Sequence, residues 1–168
     1  ERVEGTQADI LVTNEMPFGS WRPVYHEFNL EKATEWVNEN ERSLEALSKL
    51  NVSAIISSRP IIYGDKLVNE AFSLENGEYK ILHHKHYFPS ELGWHEASWF
   101  GTDVDGFSIY EVGGLKVGVL LCTELMFNEK ARHYGRKGAN LIVSPRASGT
   151  NMHYWEAACA MASVASGS

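Results

Sequence analysis

Three residues of this chain have side chains that could act together on a carbonyl or nitrile carbon: Glu15, Lys85 and Cys122. Glu15 follows the β-forming run Asp9-Ile-Leu-Val-Thr-Asn14. Lys85 lies in the apolar stretch Tyr79 to Phe88, and Cys122 ends the run Lys116-Val-Gly-Val-Leu-Leu. Chemistry in open α/β sheets gathers at the carboxyl ends of strands, where residues from separate strands converge. An ordinary thiol has a pKa near ~8.5, so only a small fraction is thiolate at neutral pH. A carboxylate beside it can take the proton as sulfur attacks. An ammonium can lower the thiol pKa and stabilise the developing oxyanion or amidine. The carboxylic acid so formed can then protonate the leaving amine. Base, cation and nucleophile suffice for acyl transfer through a thioester. The residues after Cys122 have helical character, and a helix start there is expected to favour thiolate. Taken singly each residue has a plainer reading, because a cysteine ending an apolar strand is usually packing and a strand lysine is usually solvated.

The bulk properties narrow the classes. A chain of 168 residues fits a single domain, 1–168, and is long enough to bury a core. Its formal net charge of -7, with scattered Lys and Arg, offers no basic stripe to nucleic acid. No run of about 18 apolar residues is present to span a membrane. Cys122 and Cys159 are too few for a disulfide framework and fit no zinc spacing, which points to a reducing, cytoplasmic setting. The sequence opens without an initiator Met and shows no signal peptide, so it is expected to start after its natural beginning. Asn51-Val52-Ser53 matches a glycosylation acceptor by chance, just ahead of a buried strand.

The elements that must position the three residues follow from pattern. Glu1 to Gln7 read as the end of a polar helix and Asp9 to Asn14 as a strand, broken by Pro17 and Gly19. A helix is expected from about Leu30 to Leu50, with Ala33, Trp36, Val37, Leu44, Leu47 and Leu50 on one face and a solvated run of glutamates opposite. Val52 to Ser57 reads as a buried strand closed by Arg59-Pro60. Lys66 to Leu74 and Tyr79 to Phe88 flank Asn76-Gly77, a strong hairpin signal. Phe107 to Val112 and Leu115 to Leu121 form a second hairpin around Gly113-Gly114. A helix from about Asn128 to Lys137 ends at Gly138, Ala139 to Ser144 is a strand, and His153 to Val164 is a last helix. Helices alternate with strands at both ends and hairpins fill the middle, which predicts an α/β fold with mixed sheets covered by helices.

At this level the sequence resembles the nitrilase superfamily of carbon–nitrogen hydrolases. Asn14-Glu15-Met16-Pro17-Phe18 resembles the motif of the glutamate base, and Lys85-His-Tyr-Phe-Pro89 the lysine motif. Gly118-Val-Leu-Leu-Cys122-Thr-Glu-Leu-Met-Phe127 resembles the nucleophile motif, and Gly138 to Arg146 the strand that follows it. The resemblance implies an α-β-β-α sandwich, a Glu15-Lys85-Cys122 triad, no cofactor and no metal, and a small amide-type substrate. It also implies a homo-oligomer joined across a helical face. Relative to the family the chain is expected to be incomplete at both ends, without the first strand and the last third. Glu96 matches the family's second glutamate, with Glu91 as its rival. Thr123-Glu124 replaces a commoner aromatic–aspartate pair, and Thr123 lacks the aromatic that nitrilases carry directly after the cysteine, which favours amide over nitrile.

The remaining candidates divide between site and scaffold. Thr123, Glu124, Arg146 and Trp99 are the candidates for substrate contact, Arg146 facing either a substrate carboxylate or a structural partner. Trp94, Trp99 and Phe100 could line a pocket mouth or pack beneath the loop. His83, His84 and His86 invite a metal, but alternation sends only His84 and His86 to one face with no carboxylate at useful spacing, so a polar sheet face is the better reading. Cys159, in an Ala-rich helix, reads as core. Two readings from other classes remain at this point. One is an isochorismatase-like cysteine hydrolase, which would need Asp9, although Asp9 begins its strand; the other is a non-catalytic partner or regulatory fragment.

Overall fold

The computed structural model describes residues 8–102, 106–147, 149 and 151–168. The helix expected over Glu1 to Gln7 lies outside them. The element order is β1 (Ile10–Val12), α1 (Leu30–Ser48), β2 (Ala54–Tyr63), β3 (Lys66–Glu75), β4 (Glu78–His84), α2 (Glu96–Trp99), β5 (Tyr110–Val112), β6 (Leu115–Val119), a 3₁₀ turn (Cys122–Met126), α3 (Asn128–Arg136), β7 (Leu141–Val143) and α4 (His153–Ser166).

Two mixed sheets result. The first has the order β1-β2-β3-β4, with β1 parallel to β2 and the other pairs antiparallel. The second has the order β5-β6-β7, with β5 and β6 as a hairpin and β6 parallel to β7. Strand alternation sorts side chains between layers. Ala54 and Ile56 of β2, Ala71 of β3 and Leu82 of β4 meet Val112, Val117, Val119 and Val143 of the second sheet in one apolar seam. Ile55 and Phe72 point the other way, onto Leu47 of α1. Leu120 faces outward from the second sheet, against Tyr134 of α3 and Ala162 of α4. The layers therefore run α1, first sheet, second sheet, α3 with α4, as the resemblance implied.

Helix α1 starts where expected, because Asn29 Oδ1 accepts from the Lys32 amide at 2.9 Å and caps it. Strand β2 departs from expectation. Arg59-Pro60 does not close it, and pairing with β3 continues to Tyr63↔Lys66. Strand β1 stops opposite Ile56, so at Pro60 one side of β2 has no partner strand and a missing N–H breaks no ladder there. The histidine tract departs too. Strand β4 ends at His84, and a register shift opposite Ala71/Phe72 disturbs the alternation, so period two does not carry to His86. Gly118 lets α3 approach closely: a Cβ there would lie 2.7 Å from the Tyr134 ring.

Candidate active site

Glu15 sits in the loop after β1, and that loop is tied to β2. The Thr13 hydroxyl donates to Ser57 Oγ at 2.7 Å, and the Met16 amide donates to Ser58 Oγ at 2.9 Å. Met16 itself takes φ 41°, so the chain turns sharply just past the glutamate. Lys85 follows β4, its amide donating to Asn69 O of β3 at 2.9 Å. Cys122 follows β6 at the head of the 3₁₀ turn. Its amide donates to Pro145 O at 3.0 Å, just beyond the β6–β7 ladder. The cysteine holds φ 48°, a left-handed conformation that costs about 1–3 kcal/mol outside glycine and persists where surroundings enforce it.

The three groups converge in the interior. Lys85 Nζ donates to Glu15 Oε1 at 2.8 Å and to Glu96 Oε2 at 2.6 Å, and all three side chains are fully buried. Glu96, the first residue of α2, is therefore the carboxylate that reaches Lys85. Glu91 is exposed and bridges back to Trp94 through backbone hydrogen bonds at 3.2 and 2.8 Å. Burial alone would lower the Lys85 pKa, but the carboxylates of Glu15 and Glu96 outweigh it and the ammonium is held charged. Two carboxylates share that one cation. Burial first, and then Glu15's charge, push Glu96 up to about 7 against the pull of Lys85. Glu96 Oε1 has no partner among the described residues.

Cys122 differs from expectation. Burial and the Glu15 charge raise its thiol pKa, and Lys85 offsets them only in part. The turn that follows is a short 3₁₀ helix rather than an α-helix, and it does not supply a thiolate-favouring field strong enough to win. The resting sulfur keeps its proton, with Sγ directed at Ala147 O at 3.9 Å and the Glu15 charge close by. Attack thus requires a base at the moment of bond formation.

A cavity of about 180 Å³ opens on Cys122, walled by Glu91, Trp94, Glu96, Thr123, Ala147 and Trp155 among others. Thr123 is in this wall with its hydroxyl donating to Tyr87 O at 2.7 Å. The other three expected substrate contacts lie elsewhere. Glu124 is fully buried and occupied: Oε1 accepts from the His86 amide at 2.7 Å, while Oε2 accepts from the Leu121 amide and pairs with His83 Nε2, each at 2.8 Å. It laces the nucleophile turn to the lysine segment. Trp99 is core, packed edge-on against Phe28, with Nε1 donating to Tyr25 O at 2.8 Å. Arg146 turns toward Cys159 Sγ at 4.0 Å and Met152 Sδ at 3.9 Å, over the Trp155 ring, beside a separate cavity. Cys159 is exposed rather than core.

His83, His86 and Glu124 bring potential ligand atoms within 4.8 Å of one another, a grouping the alternation did not predict. Those atoms already have work. Beyond Glu124's three bonds, His83 Nδ1 faces the Phe107 amide at 3.4 Å and His86 Nδ1 meets His84 O at 2.7 Å. A metal would have to displace this set, and hydrogen bonding accounts for it. Asn69, Ala147 and Trp155 also stand at the site without having been singled out. Asn69 Nδ2 donates to Glu15 Oε1 at 2.8 Å, and the Ala147 amide approaches Glu15 Oε2 at 3.4 Å. The one signal for Asn69 was a polar pair, Asn69-Glu70, inside an otherwise apolar strand run.

Residues 4–167 match the model of the carbon-nitrogen hydrolase family, and the chain belongs to that family. It is similar to a citrullinase of Francisella tularensis, at 31% identity over 46% of this chain and 27% of that protein. It is also similar to an N-carbamoylputrescine amidase of Solanum tuberosum, at 30% identity over 41% of this chain and 23% of that one. An amidase from Nesterenkonia sp. shares the fold with a TM-score of 0.78 and 19% identity, over 99% of this chain and 62% of that structure. The chain thus spans less than two thirds of each of these proteins, and under a third of the two curated relatives.

Proposed function

We propose that the protein hydrolyses the carbon–nitrogen bond of a small amide or N-carbamoyl compound through a thioester on Cys122. The observation that carries this reading is the meeting of a protonated thiol, the Glu15 carboxylate and the Lys85 ammonium beside one cavity. Sulfur attacks the carbonyl carbon while Glu15 takes the thiol proton, so charge never rests on an unassisted buried sulfur. The carbonyl oxygen becomes an oxyanion, and the Lys85 ammonium, whose charge already acts on the Cys122 sulfur, stabilises it. Glu15 then gives its proton to the departing nitrogen, the C–N bond breaks, and ammonia or an amine leaves. Water attacks the thioester with Glu15 as base again, releasing the acid and restoring the thiol. Substrate, water and these side chains supply every atom. Glu96 holds Lys85, and its free Oε1 offers an acceptor to a substrate N–H. The absence of an aromatic at Thr123 and the names of the citrullinase and N-carbamoylputrescine amidase relatives favour an amide or carbamoyl group, while a similar nitrilase of Pyrococcus abyssi, at 33% identity, supports a nitrile as the second reading.

Intact-mass measurement after incubating the full-length protein with a panel of amides, N-carbamoyl compounds and nitriles tests this. An acyl mass shift, lost in Cys122→Ala, is the expected result, and the shift itself reports the acyl half. Turnover of an amide that persists in Cys122→Ala would overturn the thioester route.

A further inference from the structure

Asn69 is fully buried in the middle of β3, where an apolar residue of similar size would fit. Its backbone carbonyl accepts from the Lys85 amide, a bond that any residue type could make. The side chain donates through Nδ2 to Glu15 Oε1 at 2.8 Å, and its Oδ1 has no partner among the described residues. A buried acceptor left unpaired costs about 1–3 kcal/mol. Flipping the amide would not relieve it, because the carbonyl oxygen would then face the Glu15 carboxylate. The fold therefore tolerates an orphan oxygen in order to present an N–H to the base.

Oε1 of Glu15 receives two donors, Asn69 Nδ2 and Lys85 Nζ, both at 2.8 Å. Among the described residues Oε2 receives only the long contact of 3.4 Å from the Ala147 amide. The carboxylate is thus asymmetric, with one oxygen spent and one open. We propose that Asn69 is a positioning residue for the reaction: by occupying Oε1 it fixes the carboxylate plane and reserves Oε2 as the atom that takes the Cys122 proton. Lys85 alone does not do this, since its ammonium is a compact charge shared with Glu96 and a single donor on Oε1 leaves the carboxylate plane free to rotate about it. The inference rests on Glu15 acting as the base, as proposed above.

The test compares full-length wild type with Asn69→Leu, Glu15→Gln and the double variant in single-turnover acylation by whichever small amide gives the wild-type adduct. Iodoacetamide alkylation of Cys122 is followed against pH in the same proteins. Asn69→Leu is expected to slow acylation about 10- to 100-fold, to move the acid limb of the alkylation profile to higher pH, and to leave thermal stability unchanged or raised. The double variant is expected to be no slower than Glu15→Gln alone, because a base that is gone cannot be misplaced. Losses that multiply, or an Asn69→Leu profile identical to wild type, would overturn the assignment. Asn69→Asp serves if the leucine variant fails to fold; it keeps the shape but sets oxygen against oxygen, and the same upward move of the limb is expected. Should the wild type form no acyl adduct, the hydrolase reading fails, while the alkylation profiles still decide the role of Asn69.

Discussion

Cys122 has a left-handed backbone and a buried sulfur beside a carboxylate, and the burial and that charge keep the proton on sulfur at rest. Cys122→Ser is expected to retain the fold and lose all but a few per cent of turnover, since a hydroxyl is far harder to deprotonate; steady-state rates on the identified substrate check it. Lys85 is the group that restrains the thiol pKa, so Lys85→Gln should raise it further and slow alkylation of Cys122 at fixed pH. Glu96 gives a stability signature. Its folded pKa of about 7 exceeds the ordinary 4.5, so the folded state holds a proton that the unfolded chain releases. Stability from this source is complete below about pH 4.5 and is lost as pH rises through 7, up to about 3 kcal/mol at ~1.4 kcal/mol per pKa unit. Urea unfolding across pH 4.5–8 should show that decline in wild type and a flatter curve in Glu96→Gln. Motif spacing made Glu15, Lys85 and Cys122 readable from the sequence. It could not report the sign of the thiol shift, which depends on burial that only tertiary packing creates.

At the level of elements, the glutamate two residues after the cysteine shows why a neighbour in sequence need not be a neighbour in chemistry. Glu124 points back into the protein, where it joins Leu121, His86 and His83. The histidine tract misled for a related reason, because strand alternation holds only while the strand lasts and β4 ends at His84. Pro60 misled in the opposite direction, since nothing local announces that β1 is too short to need its N–H. Hairpins and helices were readable because Asn76-Gly77, Gly113-Gly114 and the Asn29 cap act through local geometry. Packing between elements supplies a sharper test. Gly118→Ala would drive a methyl into the Tyr134 ring, and overpacking of this kind costs about 1–3 kcal/mol. Chemical unfolding is expected to show that loss, and Tyr134→Leu in the same background should recover part of it.

Over the whole molecule, two sheets stack face to face and each carries helices on its outer side, so the ends of β1, β4 and β6 arrive together. The helix and hairpin pattern foretold mixed sheets covered by helices, the layer order came from the family resemblance, and sheet membership needed the long-range pairings themselves. No helix among the described residues is long and apolar enough to cross a membrane. Helix α4 carries Tyr154, Met161 and Val164 exposed at spacings of seven and three, which puts them on one side. The homo-oligomer implied by the family resemblance would cover an apolar helical face, and Val164→Asp tests that use of α4. Light scattering on the full-length protein should show a smaller species in the variant; an unchanged mass would place self-association elsewhere or remove it.

The two thiols also make the molecule a sieve for reagents. Cys159 stands on the surface of α4, and Cys122 sits 4% exposed at the floor of a narrow cavity. A bulky maleimide dye is expected to label the outer sulfur and to be excluded from the inner one, with mass spectrometry of the labelled peptides as the check. A two-carbon alkylator passes both ways in and reads the inner sulfur by its need for a base. Blocking the surface position first leaves a protein whose single remaining thiol can be tagged only by molecules of substrate size, so the gauge of the entrance can be measured with a graded set of electrophiles before any substrate is known.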